Sequence, residues 1–436
     1  MLGGLARFAS PGLLLLAISC RDPAPAPSAA APTASALPSV SASATAAPAT
    51  PWPELPTNAE GARALVSEHT LRPPRAEPPL GVEQLLVGLR SAAERSELVA
   101  GLDAIAARLS RRAKDANAKG RTSFVLFGTF HDAPAQIAAF RKLTGPLGYG
   151  PTDAALEQLH APGRWRGVEA GAQIGDEAVL TAEGGRAALD ALVASQRDHN
   201  HTAWKYDYLE ELPALATTLR ATGVALRGCD LPSAVQDRVR PLGDAALLDL
   251  RELHCALSLA ESPRGAASRV AVLWGASHVG ADRAQRFLPA NADVVEIHVF
   301  GGRPAGDGAE AELSRKLRLA EPVLFPVEGR DRFALILAEG ALGARVDRAR
   351  TQPGAGDAEK LGKLVITSES PVELVVSGKR FAAGAQPLPP GAHGYVAVPK
   401  SGPLLAGAVP MPEHGFVELD LDAGASSLRL VVHRGR

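Results

Sequence analysis

The sequence predicts an α/β protein: a largely parallel sheet with helices on both faces, followed by a small all-β module. Three observations predict it. Between residues 122 and 350, buried-strand runs alternate with helical patterns, the order that a parallel sheet with crossover helices requires. Two of those runs, Phe124–Phe127 and Arg269–Trp274, each lead into a Gly-x-x-His turn. After about Ala355 the helical patterns stop, and short strand runs separated by Gly and Pro turns take over.

The first twenty residues read as a lipoprotein signal peptide. Arg7 supplies the positive charge, Pro11 to Ile18 a short apolar run, and Ala17-Ile18-Ser19-Cys20 a lipobox. Cleavage before Cys20 would leave its sulfur to carry a lipid. The apolar run is too short for a spanning helix, which needs about 20 residues, so lipid on Cys20 is the expected membrane attachment. Arg21 rather than Asp after Cys20 fits outer-membrane retention. The expected location is therefore the bacterial cell envelope, at the outer membrane, facing periplasm or surface.

Residues 21–60 are Pro, Ala, Ser and Thr with almost no large apolar group, the composition of a disordered tether. Residues 61–121 carry apolar residues at three- and four-residue spacing, in Val82–Leu89 and Leu98–Leu109, and predict a helical extension packed on the core. In the 122–350 domain the strands are Phe124–Phe127, Asp153–Leu156, Val224–Leu226, Arg269–Trp274, Asp293–Phe300 and Arg332–Leu337. Between them, helices are predicted at Gln136–Leu143, Ala187–Gln196, Tyr208–Ala221, Asp244–Leu259 and Ala281–Leu288. Residues 355–436 hold five short strand candidates and predict a sandwich-like module. Its Ser377-Gly378-Lys379 and Pro389-to-His393 turns faintly resemble surface-layer PEGA-type modules. Strand order and oligomeric state are not legible.

Net charge is −1 over 436 residues and the basic residues are scattered, so there is no electrostatic footprint for nucleic acid. Beyond Cys20 there are two cysteines, Cys229 and Cys255, and no CxxC, which argues against a zinc–thiolate site. An oxidising envelope permits a disulfide; two cysteines leave the pairing open.

Parallel strands deliver their following loops to one edge of the sheet. His131 and His278 are therefore expected to converge there, with Glu157 and Asp230, each at the end of a short strand. Two imidazoles and one or two carboxylates suit Zn, Mn, Co or Fe(II), with a position left for water. A second cluster runs from Asp198 to Tyr208 and holds His199, His201, Trp204, Tyr206 and Tyr208. It suits a wall for a flat ligand, with Tyr or His as an axial ligand to haem iron. His160, His254, His298, His393 and His433 read as structural. Gly-x-Ser-x-Gly is absent, as are P-loop and dinucleotide fingerprints.

FVLFGTFHD, then ALEQ, then TAWKYDYLEELPALATTLRATGVALRGCDLP, then VAVLWGASHVG together resemble the Tiki superfamily. That group gathers ChaN-like haem-binding lipoproteins, TraB-like proteins, Tiki metallopeptidases and erythromycin esterases. The resemblance covers about Thr122 to Gly301. It places the family's two turns on Gly128 and His131 and on Gly275 and His278, with its acid at Glu157. With its lipobox and Trp–Tyr stretch, the chain looks nearest the ChaN branch, although Thr129 stands where that branch commonly has Glu.

The resemblance implies a lipid-anchored ChaN-like protein that binds haem or iron, with Trp204, Tyr206 and Tyr208 at the ligand face. Its alternative is a metal-dependent hydrolase of a peptide, ester or lactone. There His131, Glu157 and His278 would hold the metal, and Asp230 would serve as base. A third expectation is a non-catalytic protein that binds envelope components through the C-terminal module.

Overall fold

The computed structural model describes residues 52–75, 80–130, 133–145, 148–176, 211–261, 268–303, 308–328, 331–338, 342–348, 352–353, 362–368, 371–422 and 427–434. Among these residues it holds eight α-helices and three sheets, the largest of them mostly parallel. No helix among them is long and apolar enough to cross a membrane.

Packing begins earlier than the predicted end of the tether. Trp52 and Leu55, the large apolar groups at the close of that stretch, are buried with Leu65, Trp165 and Leu253. The Trp52 indole donates to Glu261 at 2.6 Å. Helix α1 (Ala59–Glu68) follows, its Asn58 side chain accepting from Gly61 N at 2.8 Å. Then come α2 (Val82–Glu94), β1 (Val99–Ala100) and α3 (Leu102–Ala118). Where the sequence predicts one helix from Leu98, Gly101 at φ 85° divides a short strand from α3.

The α/β region runs β2 (Ser123–Thr129), α4 (Pro134–Thr144), β3 (Asp153–His160), α5 (Glu211–Ala221), β4 (Ala225–Asp230), α6 (Ser233–Val239) and α7 (Asp244–Glu261). It continues with β5 (Arg269–Gly275), β6 (Asp293–Phe300), α8 (Ala309–Lys316), β7 (Leu317–Leu319), β8 (Val323–Glu328) and β9 (Arg332–Ile336). The helix expected at Ala281–Leu288 is instead a single 3-10 turn, Ala284–Phe287. Gly280 at φ 156° redirects the chain just before it. Arg283 and Arg286 are drawn back to Asp249 on α7, at 3.3 and 2.6 Å. The helix expected at Ala187–Gln196 lies outside the described residues.

The large sheet has the order β1-β8-β9-β6-β2-β5-β3-β4. From β9 to β4 all neighbours are parallel, while β8 and β1 add antiparallel pairs at one side. From β2 the chain moves toward β3; from β5 it crosses back past β2 to β6. Adjacent strands whose chains leave in opposite directions open a crevice at their carboxyl ends. The sheet residues divide by parity, as a period of two requires. Val125, Phe127, Ala154, Leu156, Ala271 and Leu273 pack with Ile105, Ile137, Phe140 and Leu215. Phe124, Leu126, Ala155, Val270 and Val272 pack with Cys255, Leu259 and Val279.

The rest of the chain is strand-rich. It comprises β10 (Arg345–Arg348), β11 (Gln352–Pro353), β12 (Lys363–Ser368), β13 (Val372–Val376), β14 (Lys379–Phe381), β15 (Gly384–Pro387), β16 (Gly391–Pro399), β17 (Leu404–Met411), β18 (Gly415–Asp422) and β19 (Ser427–Arg434). They form one sheet ordered β10-β19-β18-β12-β15, with β11 on β19, and another ordered β14-β13-β16-β17-β7. Leu364, Val417 and Leu419 of the first meet Leu374, Tyr395 and Leu405 of the second in one core. The second sheet takes β7 from the α/β region. Leu85 and Leu89 of α2 share a cluster with Phe325 on one side and Val375, Val396 and Leu404 on the other. The two regions therefore share apolar surface.

Candidate functional site

The carboxyl edge of the large sheet gathers a row of buried charges. Strand β5 ends at Gly275, and the short turn Ala276–His278 aims the His278 ring back under the edge, stacked on Trp274 at 5.2 Å between centroids. The turn lies so close to β2 that a Cβ at Gly128 would stand 3.1 Å from Val279 Cγ2. Here glycine permits a close approach of two strand ends. Thr129 Oγ1 donates to the Trp274 carbonyl at 3.1 Å, tying those ends together.

His278 is 1 % exposed. Its Nε2 lies 3.3 Å from Glu157 Oε1, and its Nδ1 lies 3.2 Å from Glu252 Oε1 on α7. A carboxylate only accepts, so an imidazole between two of them is best satisfied with hydrogen on both nitrogens. Burial alone lowers the His278 pKa, but the charge and hydrogen bond of Glu157 and the hydrogen bond to Glu252 outweigh it and push the value up to about 9. Burial holds the Glu252 carboxyl above its ordinary range, against the pull of His278, Arg283 and Arg286.

Glu157 is equally committed. Its Oε2 accepts from Gly275 N, and its Oε1 accepts from Arg251 Nη2 at 2.7 Å. The same guanidinium grips Asp230 in a two-pronged contact, Nε to Oδ1 at 2.7 Å and Nη2 to Oδ2 at 2.8 Å. Asp230 also accepts from Leu231 N at 2.8 Å and Gln236 Nε2 at 3.2 Å. The row thus reads Asp230, Arg251, Glu157, His278, Glu252 and Arg286, the last at 3.5 Å from Glu252 Oε2. A disulfide between Cys229 and Cys255 joins β4 beside Asp230 to α7, one turn past Arg251.

Of the expected site residues, the structure brings Glu157, Asp230, Gly128, Gly275 and His278 to one edge. His131, Trp204, Tyr206, Tyr208 and Cys20 lie outside the described residues. Asp230, expected as a base, has both oxygens engaged by Arg251 and anchors that guanidinium. Arg251, Glu252 and Arg286 were not anticipated. For Glu252 the signal lay in α7, where it and His254 sit among apolar residues on the buried side; Arg251 and Arg286 carry none. His254 is a satisfied core histidine. It accepts from the Trp165 indole at 3.1 Å and faces the Ala161 carbonyl at 3.1 Å. Burial pushes its pKa down to about 4.

A resident metal ion does not fit the donors around Glu157 and His278 as they stand. A cation at Glu157 would compete with Arg251 and with the His278 proton, and His278 presents no nitrogen that is not already facing a carboxylate. Among the described residues no group of three or more His, Cys, Asp and Glu is spaced to hold a metal ion.

No family model and no curated protein matches the chain. The solved structure of the type III effector HopBA1 is similar at 16 % identity, covering 50 % of this chain and 88 % of that one, with a TM-score of 0.26. A likeness that slight carries neither fold nor function.

Proposed function

We propose that this protein is a lipid-anchored hydrolase of the bacterial cell envelope, acting on an ester, lactone or peptide, with Glu157 and His278 as its acid–base pair. The observation that carries the reading is the Glu157–His278–Glu252 row at the carboxyl edge, beside β2 and β5, whose chains leave in opposite directions at the place where α/β proteins bind ligands. An imidazole that keeps its proton at neutral pH suits a general acid. Because both its nitrogens face carboxylates, the leaving oxygen or nitrogen takes that proton only by displacing Glu157 from Nε2, which frees that carboxylate to act as the base. Arg251 holds Glu157 in place, and Glu252 supports the far side of the ring. The two parity sets of core residues support a sheet covered by helices on both faces. The lipobox at Cys20 supports the location, and the Gly128 and Gly275 turns with Glu157 support Tiki-superfamily membership.

The test is hydrolysis of a panel of p-nitrophenyl esters, lactones and peptides by the wild type and by His278→Gln and Glu157→Gln. Rates at least ~100-fold lower in folded variants are expected for an acid–base pair. Full activity in folded His278→Gln, or no hydrolysis by the wild type, would reject the reading. Titration with haemin runs alongside: a Soret shift that disappears in His278→Gln would replace hydrolysis with haem binding.

A further inference from the structure

A second histidine at the same edge has different company. His160, the last residue of β3, has its Nδ1 3.0 Å from Asp176 Oδ2 and its Nε2 3.3 Å from the hydroxyl of Ser233. The carboxylate can only accept, so Nδ1 carries the hydrogen, and Nε2 of the neutral ring is left to accept from Ser233 Oγ–H. The three groups grade outward: Asp176 and His160 side chains are 17 % and 24 % exposed, and Ser233 is on the surface. That is the gradation expected of an orienting acid, a base and a reachable nucleophile.

The backbone around them is built for this contact. Strand β3 shifts register between Leu156 and His160, a bulge that re-aims the strand end. A Cβ at Gly228 would overlap the His160 carbonyl, and a Cβ at Gly175 would overlap Pro162 and Ala161. Glycine on both sides therefore lets the chain close around the His160 segment. Asp176 is clamped reciprocally: its amide donates to His160 O at 2.9 Å, and its carboxylate accepts from His160 N at 2.8 Å.

We infer that Ser233, His160 and Asp176 form a hydroxyl–imidazole–carboxylate relay in which Ser233 is an acylatable nucleophile for activated carboxylic esters. The inference rests on the proposed hydrolysis for its substrate class only; the relay's geometry does not involve His278. In the first step Ser233 Oγ bonds to the ester carbonyl carbon while its proton passes to His160 Nε2. The carbon–oxygen bond to the alcohol then breaks, and that proton leaves with the alcohol. Water repeats the sequence on the acyl-serine, His160 again taking and returning the proton, and releases the carboxylic acid.

The pKa of His160 is also shaped by its neighbours. Burial lowers it, but the Asp176 hydrogen bond and charge, with the charge of Asp230, outweigh burial and the opposing Arg251. The net shift is upward, so reactivity should rise with pH through a midpoint above 6.5.

The test is labelling of the full-length protein with a fluorophosphonate, read by intact mass and peptide mapping, alongside turnover of p-nitrophenyl acetate. A single adduct on Ser233 is expected, absent in Ser233→Ala. Labelling should be at least ~100-fold slower in His160→Gln and slowed in Asp176→Asn, since an orienting carboxylate sets the tautomer. Ser233 is exposed, so Ser233→Ala should melt like the wild type. No adduct on Ser233, or equal labelling of Ser233→Ala, overturns the relay. His278→Gln separates the two claims. Labelling that persists while hydrolysis by that variant is undiminished sinks the acid–base pair alone. Hydrolysis that depends on His278 with no Ser233 adduct sinks the relay alone.

Discussion

His278 and His160 stand at the carboxyl ends of neighbouring strands, β5 and β3, yet their surroundings differ in kind. His278 is buried between two carboxylates, themselves held by Arg251 and Arg286. His160 has one carboxylate, one hydroxyl and an opening to solvent. The first arrangement favours a fixed proton and demands that every partner be present. The second leaves a nitrogen able to exchange a proton with whatever reaches Ser233. A buried histidine among acids is a stability commitment first, whereas a partly exposed one with a single acid keeps a nitrogen available to act as a base.

The largest effect expected on this contrast is from Glu252→Ala. It would leave His278 and Arg286 buried with a partner missing, and breaking a buried ionic pair on one side costs about 3–5 kcal/mol. Asp176→Ala should cost less, about 1–2 kcal/mol, because the partner left behind is an imidazole that can stay neutral and reaches solvent, not a buried charge. Urea unfolding of both variants checks this, and equal losses would erase the distinction. Next is the disulfide. Cys229→Ser with Cys255→Ser should lower stability by about 2–4 kcal/mol. Because Cys255 lies one turn from Arg251, hydrolysis should fall as well. The measurement is the melting temperature with and without reductant under denaturing preincubation.

The pH dependence follows in size. The folded pKa of His278 is raised to about 9, so its contribution is complete below the unfolded value near 6.5 and fades as pH climbs through 9. The amount is on the order of 3 kcal/mol. His254 works the other way: its folded pKa of about 4 gives stability above 6.5 that is lost as pH falls through 4. A stability–pH profile of His278→Gln should lose the alkaline decline and keep the acid one. Trp274→Leu removes the ring stacked on His278 and leaves a cavity in a buried cluster; it should cost about 2–3 kcal/mol, less than Glu252→Ala. A larger loss there than at Glu252 would reverse the ranking.

The central strands were legible because each is a short apolar run in a chain where such runs are few. Phe124–Phe127, Arg269–Trp274 and Asp293–Phe300 all fall inside observed strands. β8 was missed, since Val323–Glu328 carries Pro326 and only pairing with β9 makes it a strand. The Ala281–Leu288 helix failed because its arginines are recruited by α7, a competition no local pattern displays. At the site, Glu157, Asp230 and His278 could be nominated from the ends of apolar runs, although β3 continues past Glu157 to His160, whereas Arg251 and Glu252 sit mid-helix without a motif. His160 read as structural because Ser233 is 73 residues away and Asp176 follows in an unpatterned loop.

The sequence alone showed which apolar runs become the central strands β2, β5 and β6 and that a glycine stands near the end of β2 and of β5, because those features rest on residues close together in the chain. It also showed the α/β class and the strand-rich C-terminal region. Tertiary structure alone decided that His278 lies between Glu157 and Glu252 and that His160 faces Asp176 and Ser233. Strand order and the docking of α7 set those distances, and each depends on residues many turns apart finding one another as water is excluded.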